Sequence, residues 1–137
     1  MGEEATRGRD AVSYKKHPPL VYIVRWPDSV TKIGFTEHRR WRSFEIRGAA
    51  VLARFEFPTT TAAFLVEGLG HEWMRLNGTY AFDALGDSLA HMGSGGGGYA
   101  ECFHLNGDKV SEMVSLIRLL ATSHEGTELP SICSTAV

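Results

Sequence analysis

The stretch VYIVRWPDSVTKIGFT, residues 21–36, constrains the fold more than any other part of the chain. Two runs rich in β-branched and aromatic residues, VYIV and VTKIGFT, flank a turn that contains Pro27 and Asp28. This pattern predicts a β-hairpin, because Pro and Asp favour the turn and the flanking residues favour extended backbone. The first strand, residues 20–26, is a continuous apolar run, which predicts a central strand buried on both faces. The second strand is expected at residues 30–35.

A short helix is expected directly after the hairpin. Thr36 or Glu37 can open this helix, and it is predicted to end near Ile46 or Arg47, where Gly48 suits a helix C-terminus. The helix is rich in arginine, so its polar faces carry most of the positive charge of this part of the chain.

Strand and helix patterns continue through the rest of the sequence. VLARFEF, residues 51–57, predicts a third strand that Pro58 stops. A second helix is predicted from about Thr61 to Leu76, and a final helix is predicted to open at Asn106 or Asp108. The apolar stripes expected to face the core are Leu65, Leu69, Trp73 and Leu76 in the second helix and Val110, Met113, Val114, Ile117 and Leu120 in the final helix.

These elements predict a single α+β domain over residues 19–122, with a small central, mainly antiparallel three-stranded sheet flanked by helices. Residues 1–18 are polar and predict a flexible N-terminal arm. Residues 83–98, which contain GSGGGG, predict a mobile loop, and YAECFHL at 99–105 predicts a short strand or extended segment. Residues 123–137 are expected to form a flexible C-terminal tail.

Charge is distributed unevenly along the chain. The net charge is −2, yet residues 25–54 hold seven basic and three acidic residues, so this segment carries +4 and the rest carries −6. A local basic patch on an acidic body suits a compact site that meets one phosphate, although the same charges also suit a solvated helix face. No apolar run approaches a membrane span, and two cysteines are too few for a disulfide framework. We therefore expect a cytoplasmic protein that does not associate with membranes.

Five short motifs follow one another along residues 20–120. They are a strand tyrosine in Leu20-Val21-Tyr22, the Lys-Ile-Gly-x-Thr run from Lys32 to Thr36, a helix with Arg39, Arg40 and Arg42, the Glu-x-x-x-His pair Glu67 and His71, and Glu101-Cys102-Phe103. This order resembles the GIY-YIG nuclease domain, in the branch common in phage and bacterial proteins that has a Lys-Ile-Gly-x-Thr second motif. The chain departs from the family in several places. Lys32 replaces the second tyrosine, neither Gly nor Ile precedes Tyr22, Cys102 replaces the aromatic residue of the last motif, and the loop after Gly34 is shorter than usual.

The resemblance implies an α/β/α sandwich that hydrolyses DNA phosphodiester bonds with one divalent ion, Mg²⁺ or Mn²⁺. It implies a tyrosine that assists the attack of water, an arginine that stabilises the phosphoryl charge, and a helix carboxylate that holds the ion. The residues at the matching positions are Tyr22, Lys32, Arg40, Arg42 and His71 as catalytic candidates, Gly34, Thr36 and Arg39 for the approach of the phosphate, and Glu67 as the metal ligand.

Two of these assignments leave alternatives open. Arg40 is followed by apolar residues at the family's spacing and is the preferred catalytic arginine, but Arg42 lies at the usual distance from Gly34. Gly34 could let a phosphate or water approach the strand closely, or it could mark a bulge. Tyr22 can take a proton from water only if nearby positive charge, such as Lys32, lowers its pKa.

Each candidate also has a purely structural interpretation. Tyr22 suits a core aromatic residue, Lys32 a strand lysine with a solvated ammonium, and Glu67 with His71 an i,i+4 pair on a helix surface. Glu101 in a short strand is more often structural than catalytic.

A second function class competes with the nuclease. The chain could be a catalytically inactive GIY-YIG-like module that binds nucleic acid or a protein partner, which the missing second tyrosine favours. The nuclease hypothesis in turn leaves room for a separate DNA-targeting protein as a partner. Other enzyme classes fit poorly, because HEWMR lacks the second histidine of a zinc protease helix and no Gly-Lys-Ser/Thr follows GSGGGG.

Overall fold

The computed structural model of the chain describes residues 17–93 and 98–131. The strands in this part of the chain are β1 (Leu20–Arg25), β2 (Val30–Thr36), β3 (Ala50–Glu56), β4 (Thr79–Tyr80), β5 (Cys102–His104) and β6 (Thr127–Glu128). The α-helices are α1 (Arg40–Ile46), α2 (Thr60–Asn77), α3 (Leu89–Met92) and α4 (Gly107–Ser123), with short 3-10 turns at Leu85–Ser88 and Tyr99–Glu101. Most of the predicted arm, and residues 94–97 and 132–137 of the predicted loop and tail, lie outside the described residues.

All six strands form one antiparallel sheet with the order β4-β5-β2-β1-β3-β6. This confirms the predicted α+β class and the mainly antiparallel sheet, although the sheet is larger than the three strands expected. The apolar strand β1 is central and buried, as its sequence predicts. Strands β4 and β6 have two residues each, which is too short to produce a periodic pattern in the sequence.

Helices cover both faces of the sheet, and β1 contributes side chains to both cores. Val21 and Ile23 face α2 and α4, whereas Tyr22 and Val24 face α1 and α3, because successive strand residues point to opposite faces. Lys32 of β2 lies opposite Val24. The side chains of Tyr22 and Lys32 therefore share one face of the sheet.

The buried face of α2 differs from the predicted one. Trp73 is partly buried, but the other three residues of the predicted stripe are exposed: Leu65, Leu69 and Leu76. The residues that pack against the sheet are Ala63, Val66, Gly70 and Met74. A Cβ atom at Gly70 would lie 2.6 Å from Cδ1 of Ile33 and 2.8 Å from Cδ1 of Ile117. The helix approaches β2 and α4 this closely because Gly70 has no side chain, and a prediction weighted by large apolar side chains selects the wrong face.

The final helix, α4, confirms its predicted stripe. Val110, Met113 and Ile117 are buried, and Val114 and Leu120 pack partly against the same core. Asn106 is the N-cap, since its side chain accepts a hydrogen bond of 2.8 Å from the backbone N–H of Lys109. No helix within the described residues combines the length and the apolar character that crossing a membrane requires.

The first helix begins later than predicted. Thr36 is the last residue of β2, and its hydroxyl oxygen accepts a hydrogen bond of 2.9 Å from the backbone N–H of His38. This short-range contact turns the chain before α1 begins at Arg40. Thr36 therefore ends the strand and does not open the helix.

Two segments expected to be irregular contain ordered structure. Residues 83–93 include a 3-10 turn and α3, and Met92 of α3 is buried in the core on the Tyr22 face. After α4, strand β6 pairs with β3, and Arg118 donates hydrogen bonds of 2.7 and 3.1 Å to the carboxylate of Glu128. The fold therefore extends beyond residue 122, the predicted end of the domain.

The glycine of the second strand has a packing role. Gly34 lies opposite Tyr22, and a Cβ atom added at residue 34 would lie 2.3 Å from both Cζ and Oη of that tyrosine. The space above Gly34 is therefore filled by the Tyr22 ring, whereas the sequence had suggested an approach path for phosphate or water. Without this glycine, the ring could not lie flat across β2.

We predict that Gly34→Ala lowers the free energy of unfolding by about 2 kcal/mol, because the added methyl group overpacks a buried strand pair. Gly68→Ala is the matched control, since a Cβ atom at this position in α2 meets nothing within 4 Å. This control should raise stability by about 0.5–1 kcal/mol, because alanine replaces glycine in a helix interior. Urea unfolding measures both effects, and unchanged stability of Gly34→Ala would show that the Tyr22 ring can move aside.

Candidate functional site

The candidate site lies where β5 separates from β2. The two strands pair only from Val30 to Lys32, so the edge of β2 is open beyond that point. Two side chains of α2 bind this open edge: His71 Nε2 donates a hydrogen bond of 2.7 Å to the carbonyl oxygen of Ile33, and Glu67 accepts one from the backbone N–H of Phe35. The helix thus replaces a missing strand partner with an imidazole and a carboxylate.

Three groups that can bind a metal converge at this edge. Glu67, His71 and Glu101 each offer one ligand atom, and these atoms all lie within 4.8 Å of one another. Glu101 ends the 3-10 turn that precedes β5, so a separate part of the chain supplies the third group. The side chains of Glu67 and His71 are 15% and 16% exposed, and that of Glu101 is 42% exposed. Solvent can therefore reach the three groups, although two of them are largely buried.

The hydrogen bond to Ile33 fixes the tautomer of His71. A carbonyl oxygen only accepts hydrogen bonds, so Nε2 carries a proton and the neutral ring keeps its lone pair at Nδ1. Metal-binding histidines commonly donate their other ring N–H to a backbone carbonyl in this way. The carboxylate of Glu67 lies 3.9 Å from Nε2, too far for a direct hydrogen bond.

Lys32 carries a buried ammonium beside the three groups. Its side chain is 4% exposed, and Nζ donates a hydrogen bond of 3.1 Å to Oε1 of Glu101. Burial acts to lower the pKa of Lys32, but the acidic groups of Tyr22, Glu101 and Cys102 outweigh it, so the pKa is raised. The contact with Glu101 is the ion pair that stabilises the charged form of Lys32.

Tyr22 lies close to this ammonium and is itself almost fully buried. Lys32 Nζ lies 5.9 Å from the centroid of the tyrosine ring. Burial raises the pKa of Tyr22, and the charges of Lys32 and Arg40 lower it by less. A tyrosine that acts as a base requires a pKa below the ordinary value. The protein's own charges do not lower the pKa of Tyr22 in this way.

Burial is also the largest influence on Glu67. It raises the pKa of the carboxyl group, and the negative charge of Glu101 raises it further. His71, Lys32 and the backbone N–H of Phe35 act in the opposite direction without cancelling the rise. Two carboxylates so close together favour a bound cation, because a cation relieves their mutual repulsion.

Arg40 and Arg42 contact different aromatic rings. The guanidinium carbon of Arg40 lies 5.9 Å from the centroid of Phe44, whose ring centroid lies 6.1 Å from that of Tyr22. The guanidinium carbon of Arg42 lies 5.7 Å from the ring of Trp41. Arg40 also contributes to the electrostatics of Tyr22, so it is the arginine on the side of the candidate site.

The remaining predicted phosphate residues do not join this group. The hydroxyl oxygen of Thr36 is engaged by His38 at the end of β2. Arg39 lines a different cleft of about 200 Å³, whose other walls include His17, His38, Trp41, Arg54 and Glu56. The structure thus brings together Tyr22, Lys32, Arg40, Glu67 and His71, adds Glu101, and leaves Thr36, Arg39 and Arg42 outside.

Glu101 lies at the site, although its sequence context favoured a structural role. Its motif, Glu101-Cys102-Phe103, is visible in the sequence, but a glutamate before a short strand does not reveal which residues lie close to it in space. The register settles them, because Cys102 pairs with Lys32 and places Glu101 at the open end of β2. Glu101 and Lys32 are 69 positions apart in the chain, so the local sequence around Glu101 does not indicate that they are neighbours.

Comparison of the chain with protein-family models, with curated proteins and with solved structures gives no match. The geometry of the site and the order of the motifs are therefore the observations that bear on its function.

We predict that Cys102, which lies beside Lys32, is unreactive in the folded protein. Burial raises the pKa of its thiol to about 11, which leaves about one thiolate in a thousand at pH 8. In a Cys133→Ser variant, Cys102 is the remaining cysteine, and its reaction with a disulfide reagent at pH 8 should be at least about 100-fold slower before unfolding in guanidinium than after it. Equal rates would contradict the buried position of this thiol.

Proposed function

We propose that the protein is a metal-dependent endonuclease of the GIY-YIG type that hydrolyses DNA phosphodiester bonds. The observation that carries the proposal is the convergence of the motif residues. Tyr22 and Lys32 from the hairpin, Arg40 from α1, and Glu67 with His71 from α2 surround one open strand edge. Structural roles alone do not require four separate motifs to meet at one point.

The donor groups fit a divalent ion such as Mg²⁺ or Mn²⁺. Glu67 is the proposed ligand, and carboxylates are the side chains that these ions prefer. Bound there, the ion would supply charge relief for the leaving oxygen and acidify a coordinated water. His71, with its lone pair at Nδ1, lies one helical turn away and can orient a water or a phosphate oxygen.

Tyr22 and the cationic groups have complementary roles in this proposal. Tyr22 holds the attacking water and takes its proton only when added positive charge lowers the pKa of the phenol. Lys32 and Arg40 already act in that direction. Arg40 is exposed on α1 and can donate paired N–H groups to the phosphoryl oxygens, where negative charge accumulates.

Two observations favour the alternative, a module that binds nucleic acid or a protein without cutting. Glu67 and His71 already satisfy backbone groups of β2, which is a sufficient structural reason for both side chains. Burial also keeps the pKa of Tyr22 raised. Either function is compatible with a separate protein that selects the DNA target, and cleavage assays separate the two.

We predict that the purified protein nicks supercoiled plasmid with Mg²⁺ or Mn²⁺ and that Glu67→Ala lowers the rate by at least about 100-fold. Glu72→Ala is the control, because Glu72 is exposed on the same helix and pairs with Arg75. The melting temperature of each variant tests whether the fold is retained. If wild type and Glu67→Ala cut equally, the activity is a contaminant or the site is misplaced. If neither cuts while binding DNA, the binding module is favoured.

The two arginines give a second test of the site. Arg40→Ala should lower the nicking rate by about 100-fold, because a guanidinium that stabilises transition-state charge is lost. Arg42→Ala should retain most activity, since the Arg42 guanidinium lies over Trp41, whereas that of Arg40 lies over Phe44, the ring next to Tyr22. Both side chains are exposed, so the two variants should unfold at similar temperatures. Equal loss of activity in both would contradict a single catalytic arginine at position 40.

A further inference from the structure

Glu101 has the position of a metal ligand. Its carboxylate and that of Glu67 offer oxygen atoms within 4.8 Å of one another, beside the imidazole of His71. Two ligands on opposite sides of an ion bound at about 2.1 Å are about 4.2 Å apart, so small side-chain movements close the set. The groups come from α2 and from the turn before β5, which β2 holds in place.

Lys32 is the partner of Glu101 in the protein without an ion. The ammonium is buried, and among the described residues Glu101 is the only side chain with which it forms a hydrogen bond or ion pair. Gly98 closes over the pair, since a Cβ atom there would lie 3.2 Å from Nζ of Lys32 and 3.3 Å from Oε1 of Glu101. The ammonium therefore has little access to water, whereas the carboxylate of Glu101 is partly exposed.

The net charge of Glu67, Glu101 and Lys32 indicates that a divalent ion can replace Lys32 as the partner of Glu101. With Glu67 and Glu101 ionised and Lys32 protonated, the group carries one uncompensated negative charge. A divalent ion would change this to one positive charge, which is the charge that a phosphodiester neutralises.

We propose that Glu101 is a second carboxylate ligand of the divalent ion, and that the Lys32 ammonium takes the ion's place as its partner when the ion is absent. The inference rests on the proposed metal-dependent function. When Glu101 turns to the ion, Lys32 is left as a buried cation that needs another anion.

Binding of Mn²⁺ to the DNA-free protein tests the proposal, with the free ion followed by electron paramagnetic resonance. Glu101→Gln should weaken binding by at least about tenfold, because one charged ligand is lost. Lys32→Met should tighten binding several-fold, because the competing cation is removed. Glu72→Gln should bind as the wild type does.

The double variant Lys32→Met/Glu101→Gln separates a ligand from a structural counter-ion. It contains no unpaired ammonium, so a fold weakened by Glu101→Gln alone is relieved. The proposal requires the double variant to bind Mn²⁺ as weakly as Glu101→Gln does. Wild-type affinity in the double variant, or in Glu101→Gln, overturns the proposal, and so does a wild-type protein that binds no Mn²⁺.

Plasmid nicking by the same preparations distinguishes this inference from the nuclease proposal. Mn²⁺ binding that depends on Glu101 in a protein that never nicks DNA upholds the ligand assignment and overturns the nuclease. Nicking by a wild-type protein whose Mn²⁺ affinity is unaffected by Glu101→Gln overturns the ligand assignment and leaves the nuclease.

Discussion

A charged lysine inside the sheet is the constraint on which the geometry of the candidate site depends. Lys32 is 4% exposed, and a buried ammonium without a partner is strongly unfavourable. Glu101 supplies the partner, and the pairing of Cys102 with Lys32 brings it within reach. Gly98 lies over the ammonium, and the carboxylate of Glu101 lies beside Glu67. Because an ion pair links the turn before β5 to the hairpin, the site depends on a contact between residues far apart in the chain.

Local sequence patterns predict those strands and helices whose formation depends mainly on their own residues. The hairpin follows from a continuous apolar run and a turn, and α4 follows from helical periodicity with Asn106 as its cap. The prediction of α2 succeeded for the helix and failed for its face, because Gly70 lets the helix approach Ile33 more closely than a larger residue would. The strands β4 and β6 exist through pairing alone, since two residues carry no periodicity of their own.

The candidate site divides in the same way. The order of the motifs predicted Tyr22, Lys32 and Glu67 as site residues, and the structure brings all three to one open strand edge. It could not predict Glu101 as a neighbour of Lys32, because that contact follows from strand register. The motif order also could not decide between Arg40 and Arg42 as the catalytic arginine. That decision depends on where α1 begins and on which aromatic ring each guanidinium contacts.

Tyr22 shows how burial and charge oppose each other at this site. The ring must be buried to pack over Gly34, and the same burial raises the pKa of the phenol. Lys32 and Arg40 act against that rise, and Lys32 stands where the related motif has a second tyrosine, so the substitution adds positive charge to the site. Their combined effect is smaller than that of burial, and the charge of Lys32 is already paired with Glu101. A cation that binds Glu67 and draws Glu101 away would both add positive charge near Tyr22 and release that of Lys32. The dependence of the proposed activity on a divalent ion therefore follows from the burial of the tyrosine as much as from the needs of the leaving group.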